Sequence, residues 1–165
     1  MTKAGKFVII AAMLALGACS NAAKTGGGSA LGGPGAAGTV SDPASPAYFQ
    51  QVVGDRVLFE IDQSTLTPAA LSVLQGQANW LMSNGAFTAV IEGHADEQGT
   101  REYNLALGAR RANAVREFLV SRGVAANRLE VVSYGKERPL EICSQEACYA
   151  KNRRAVTVLA AGLTG

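Results

Sequence analysis

Glu92, His94, Asp96 and Glu97 stand within six residues of one another, and Arg111 follows at the same distance from Asn104 as two turns of helix. These are the residues able to do chemistry in this chain. Acidic side chains beside a histidine are the raw material of acid–base hydrolysis, and carboxylates facing an arginine are the raw material of a site for charged ligands. Most other chemistries lack their parts. His94 is the only histidine, so a zinc site built on histidine ligands has no partners, and the acidic cluster would hold at most a loosely defined ion bound by oxygen. No metal is expected. No G-x-S-x-G elbow supports a serine nucleophile, and neither a phosphate loop nor G-x-G-x-x-G occurs, so no cofactor is expected either.

Arg111 shares a helical stripe with Leu107 and Val115, which points the cation toward the core rather than solvent. Burying a guanidinium is unfavourable unless an acceptor meets it. If the loop after residue 94 folds back over the helix, Asp96 and Arg111 line one shallow pocket; the same spacing also fits a purely structural ion pair, and both readings stand.

The elements that position these residues can be read coarsely. Val57, Phe59 and Ile61 alternate as a strand ending near Asp62. Thr67-Pro68 is an N-cap followed by proline, opening a helix whose Leu71, Leu74, Ala78 and Leu81 keep helical spacing until Asn84-Gly85. Phe87 to Glu92 is a second strand and runs into the polar loop 93–100. A second helix follows from about Tyr103 or Asn104 to Arg122, with Gly123 as its stop. Leu129 to Tyr134 and Ala155 to Ala160 are further strands, with a short helix near Glu146 to Arg153 between them. The order βαβαβ(α)β predicts an α+β domain, its helices packed on one face of a mixed four-stranded sheet.

The 165 residues allow one compact domain with an extension, and 19 glycines exceed what a chain folded throughout would carry. The excess lies near the front. Lys3 and Lys6 precede the apolar run Phe7 to Leu16, which is too short to span a bilayer and matches a secretory signal over residues 1–18. Leu16-Gly17-Ala18-Cys19 resembles the bacterial lipobox, which implies lipid on Cys19, and Ser20 after it implies the outer membrane. Residues 19–46 hold seven glycines, three prolines and only Lys24 and Asp42 as charges: a linker, with an r.m.s. span of roughly 30 Å as a flexible coil. The folded domain is expected over 47–165. Fifteen basic against 13 acidic side chains leave no surplus for binding nucleic acid. Cys143 and Cys148 are spaced to close a small disulfide loop in an oxidising compartment.

Gly93-His94-Ala95-Asp96, followed by Asn104, Leu107-Gly108, Arg110-Arg111-Ala112 and Val115, resembles the signature of the OmpA-like peptidoglycan-binding domain. Tyr134-Gly135-Lys136-Glu137-Arg138-Pro139 and Asn152-Arg153-Arg154-Ala155-Val156 resemble its C-terminal part. With the lipobox and linker, the chain is similar to the lipoprotein members that serve the Tol-Pal envelope system. The resemblance implies a non-enzymatic tether, anchored in the outer membrane and facing the periplasm. It implies peptidoglycan as ligand, gripped by the diaminopimelate of its stem peptide, and TolB with other Tol proteins as partners in envelope constriction at cell division. It also implies that Asp96 takes the ligand's ammonium and Arg111 a carboxylate, with Asp62, Asn104 and Arg153 lining the same pocket. The competing expectation is a wall hydrolase using Glu92, His94 and Asp96.

Overall fold

The computed structural model describes residues 38–161, so the expected signal segment, Cys19 and most of the expected linker lie outside the described residues. The chain enters through a short helix, α1 (Pro46–Tyr48), which widens into a π-helical stretch at Phe49–Gly54. It then runs β1 (Arg56–Leu58), α2 (Pro68–Ser83), β2 (Phe87–His94), α3 (Arg101–Ser121), β3 (Leu129–Gly135), α4 (Glu146–Asn152) and β4 (Arg154–Ala161). The sheet order is β1-β4-β2-β3. β4 is antiparallel to both its neighbours, and β2 and β3 are parallel, as a strand pair joined by a helical crossover must be. This is the expected mixed four-stranded α+β architecture.

Alternation along β2 sends Ala89, Ile91 and Gly93 to the face covered by α2 and α3. There Leu74, Ala78 and Leu81 of α2 and Ala112, Val115 and Leu119 of α3 complete the core with Phe49, Val57 and Phe59. Thr67 caps α2, its side chain accepting from the Ala70 amide at 3.1 Å, with Pro68 at the first helical position as expected. Gly123 ends the turn after α3 with φ of 101°.

Four local expectations need correction. β1 stops at Leu58, and Ile61 is exposed in a turn, because the carbonyls of Glu60 and Gln63 turn toward the guanidinium of Arg111 instead of a neighbouring strand. Leu71 of α2 is exposed, off the buried stripe. α3 begins at Arg101, two or three residues early, since the Thr100 side chain accepts from the Tyr103 amide at 3.2 Å. The folded domain also begins before residue 47. Ser45 is buried, its hydroxyl donating to the Thr39 and Asp42 carbonyls at 2.6 and 2.8 Å, and buried Trp80 donates to the Pro43 carbonyl at 2.7 Å. An indole N–H needs a partner when buried, and this one finds it in what composition alone reads as linker.

Gly93 of β2 and Gly108 of α3 bring their two backbones into direct contact. A Cβ on Gly93 would overlap the Gly108 carbonyl, and one on Gly108 would strike the Ser133 hydroxyl and stand 2.8 Å from the Gly93 carbonyl oxygen. This contact lets α3 lie directly on the end of β2, which brings Arg111 beneath the loop carrying Asp96. Gly108→Ala is therefore expected to lower unfolding stability by about 1–3 kcal/mol, and Gly93→Ala by at least as much, in urea denaturation of the full chain.

Candidate functional site

The loop between β2 and α3 is held from several sides. The amide of Ala95 donates to the Gly135 carbonyl at 2.8 Å, which extends β2 past its last ladder residue. Asn104, in the first turn of α3 and fully buried, donates its side-chain amide to the Gln98 carbonyl at 2.7 Å. From β3's far end, Lys136 donates to the carbonyls of Gly99 at 2.7 Å and Glu97 at 3.3 Å. These bonds fix a loop with little apolar anchorage of its own.

Beneath the loop lies Arg111, the largest fully buried side chain among the described residues, with 0% exposure. Its three nitrogens donate to the backbone carbonyls of Gln63 at 2.8 Å, His94 at 2.8 Å and Glu60 at 3.2 Å, and its plane stands 5.2 Å from the Phe59 ring centroid. Neither expected version of the Asp96–Arg111 pair is present, pocket-sharing at the surface or direct ion pair. Backbone carbonyls meet the buried charge in place of the carboxylate. Burial pulls the Arg111 pKa down to about 10, opposed by the field of nearby Asp96 and reinforced by that of Arg153, so the residue remains a cation at neutral pH.

Asp96 pairs instead with Arg153. Its Oδ2 accepts from the Arg153 guanidinium at 3.2 Å, and its Oδ1 accepts from the Gln98 amide at 3.1 Å. Arg153, only 4% exposed, also donates to the Phe59 carbonyl and binds Glu146. Desolvation works against its charge, yet the hydrogen bonds to Glu146 and then Asp96 prevail and raise its pKa above the ordinary arginine value.

Asp62, Asp96 and Asn104 line one cleft of roughly 230 Å³ together with Ile61, Tyr103 and Leu107. The structure thus brings three of the five expected residues to the cleft surface, places Arg153 against Asp96, and sets Arg111 behind the wall. Asp62 adopts a left-handed backbone (φ 57°) at the turn after β1, a conformation that Asp tolerates better than most residues, and its carboxylate accepts from the Tyr103 hydroxyl. Tyr103 was not expected in the site. Its position one residue before Asn104 placed it ambiguously at a helix start, and only the turn at Ile61–Asp62 brings a partner to it. Gln98 and Gly99 were likewise read only as loop.

His94 does not face the cleft. Its ring is 1% exposed on the opposite side of the sheet, 5.6 Å from the Tyr134 ring, and neither ring nitrogen has a hydrogen-bond partner. Glu92 Oε2 approaches Nε2 only to 3.5 Å. Burial first, then Arg154 and Arg138, push its pKa down to about 4, so it is neutral at pH 7. A role as general base on a bound polymer has no geometric support. Cys143 and Cys148 are joined in a disulfide with Cα atoms 6.0 Å apart, within the usual range. Among the described residues, no cluster of three or more His, Cys, Asp or Glu is arranged to hold a metal ion.

A family model described as the OmpA family matches residues 58–153, which include α2, β2, α3, β3, the cleft residues, Arg111 and Arg153. The peptidoglycan-associated lipoprotein of Mesorhizobium japonicum is 47% identical over 96% of this chain and 94% of its own length. The chain belongs to the OmpA family, among its peptidoglycan-associated lipoproteins. The corresponding lipoprotein of Pseudomonas aeruginosa is 41% identical, covering 93% of this chain and 96% of its own. The crystal structure of the peptidoglycan-associated lipoprotein from Burkholderia pseudomallei superposes with a TM-score of 0.65 at 40% identity, over 73% of this chain and 98% of that one. The C-terminal domain of Helicobacter pylori MotB shares the fold, with a TM-score of 0.61 at 21% identity over 66% of this chain and 86% of that one. The relatives' names describe association with peptidoglycan and a lipid, and none of them names a reaction.

Two outcomes follow for this OmpA-family site. Arg111→Lys keeps the charge but carries its donors on a single nitrogen, which cannot reach three carbonyls met by three separate guanidinium nitrogens, and is expected to cost about 2 kcal/mol or more of stability in urea unfolding. The His94 pKa lies below its unfolded value of 6.5, so the unfolded chain binds the extra proton first as pH falls. Stability from this group is therefore whole above pH 6.5 and is lost progressively toward pH 4. His94→Phe is expected to flatten that part of the pH–stability curve, read from thermal melts across the window.

Proposed function

We propose that this chain binds peptidoglycan non-covalently through the cleft between the turn after β1 and the start of α3, and that diaminopimelate of the stem peptide is the moiety bound. The observation that carries the reading is the composition of that cleft. Two carboxylates, Asp62 and Asp96, stand at its rim, an apolar wall of Ile61, Leu107 and the Tyr103 ring lies between them, and the Arg111 charge sits behind. An aliphatic side chain ending in a zwitterionic amino acid needs that combination: carboxylates for the ammonium, apolar surface for the methylenes and a fixed positive charge for the carboxylate.

Asp96 is the better ammonium acceptor, because its Oδ1 and Oδ2 are each fixed by one partner and retain further lone pairs. Arg111 serves the ligand carboxylate by its field from behind the wall. Direct contact would require the Glu60 or Gln63 carbonyl to yield its place on the guanidinium, so ligand binding is expected to shift the turn at Glu60–Gln63. Arg153 keeps Asp96 oriented, and Asn104 keeps the loop closed.

The family resemblance supports the rest of the proposed function. Lipid on Cys19 holds the protein in the outer membrane, facing the periplasm, and the linker expected over residues 19–46 gives the domain its reach to the wall. Acyl chains contribute about 0.8 kcal/mol per buried methylene, so multiple chains anchor the protein stably. TolB is the proposed protein partner, other Tol proteins the wider assembly, and support of envelope integrity and of constriction at cell division the role.

Co-sedimentation of the detergent-solubilised full chain with purified sacculi tests the cleft. Asp96→Asn removes the charge without changing volume and is expected to weaken retention by about tenfold or more, the loss of one charge-assisted hydrogen bond. Asp62→Asn should weaken it less, since the Tyr103 hydroxyl already occupies that carboxylate. Retention unchanged in the Asp96→Asn, Asp62→Asn double variant would refute the reading, as would steady release of soluble muropeptides from the sacculi by the wild-type chain.

A further inference from the structure

The segment closed by the disulfide stands directly against the cleft's two charged supports. Ser144 and Tyr149, each next to one of the bridged cysteines, both reach Glu97, the residue after Asp96; the Tyr149 hydroxyl donates to Glu97 Oε1 at 2.8 Å, and the Ser144 contact is 3.5 Å. Between the cysteines, Glu146 binds the guanidinium of Arg153, whose Nη1 is shared between Glu146 at 3.4 Å and Asp96 at 3.2 Å while Nη2 donates to Glu146 alone. Glu146 and Asp96 thus compete for one buried cation. With Glu146 in place, Arg153 is shared, and Asp96 keeps negative charge to offer. Without it, Arg153 is free to close on Asp96 with two donors, the favoured fork geometry, and withdraw the carboxylate from the cleft.

Glu146 does not hold this position by itself. Its side chain is 60% exposed, and an exposed ion pair contributes little while the backbone that carries it is free to move. The disulfide supplies the restraint at the tip of the segment. The base is closed separately. Asn152, buried, accepts from the Leu140 and Glu141 amides at 2.7 and 3.1 Å and donates to the Glu141 carbonyl at 2.8 Å. Opening the bridge therefore frees the tip and leaves the domain folded.

We propose that the Cys143–Cys148 disulfide is a positioning element of the wall-binding cleft: it keeps Glu146 on Arg153 so that Asp96 remains available to the ligand, and its reduction weakens the grip on peptidoglycan. The inference rests on the cleft assignment made above. The cysteines are half-buried beside an exposed tip, within reach of a small dithiol. One thiolate of the dithiol attacks a bridge sulfur to form a mixed disulfide, and the second thiolate displaces it. Cys143 and Cys148 then each carry a proton, and the reagent is left as its own disulfide.

The test measures the dissociation constant of the detergent-solubilised full chain on purified sacculi, oxidised and after dithiothreitol, with melting curves for every sample. Reduction is expected to weaken wild-type binding by about five- to tenfold while the chain stays folded. Glu146→Gln should weaken it similarly and leave it nearly insensitive to dithiothreitol. In Asp96→Asn both effects should disappear, because the group they act through is gone. If Asp96→Asn weakens binding but neither reduction nor Glu146→Gln does, the inference is overturned and the cleft stands. If reduction weakens wild type and Asp96→Asn equally, the loop acts by general loosening and the inference again fails. If Asp96→Asn binds as wild type does, the cleft assignment falls and takes the inference with it.

Discussion

A buried guanidinium organises this domain. Arg111 lies on the core stripe of α3, and three backbone carbonyls from two separate segments are turned inward to meet it. An ordinary turn directs its carbonyls to water. Here the turn after β1 and the end of β2 direct theirs to one cation, and the two walls of the cleft are thereby tied to the helix between them. Removing the charge would leave carbonyls facing a low-dielectric interior, a situation that folded proteins avoid. The arrangement explains why β1 is cut short, why Asp62 adopts a left-handed backbone, and why a helix carries an arginine where a leucine would pack.

The two site arginines have different tasks because their acceptors differ. Arg111 meets neutral carbonyls, so no carboxylate touches its charge, and Asp96 and Asp62 act on it only through their field. Arg153 meets the carboxylates Asp96 and Glu146, so its charge is spent on orientation. For the proposed zwitterionic ligand the two are complementary: one cation lies behind the cleft, and one aims the anion. The separation also accounts for the opposite directions of their pKa shifts, burial dominating for Arg111 and hydrogen-bonded carboxylates prevailing for Arg153. His94 joins the two faces of the sheet. Its carbonyl grips Arg111 on one side while its neutral ring is buried on the other beside Tyr134.

Glycine makes the geometry possible. Only a pair without Cβ atoms, Gly93 and Gly108, lets α3 approach the strand end closely enough for a side chain rooted in the helix to reach the carbonyl of His94. The same motif positions that resemble the family signature are thus those where the backbone must come near, where a buried charge must find acceptors, or where a carboxylate must stand at the rim.

By itself, the sequence determined what depends on near neighbours along the chain. The Thr67-Pro68 cap, the strand runs of β2 to β4, the stop at Gly123 and the arginine on an apolar stripe are local signals, and each came out within a few residues of its place. The family resemblance also singled out three of the residues that line the cleft, Asp62, Asp96 and Asn104. What only the tertiary structure decided are the partners, since a partner is set by which distant segments the fold brings together. Arg111 takes carbonyls 48 and 51 residues away instead of the nearby carboxylate, Asp96 takes an arginine 57 residues on, and Trp80 recruits the Pro43 carbonyl from a stretch whose composition reads as linker. Spacing along a helix states where a charge must be buried; it carries no information on which oxygen arrives to receive it.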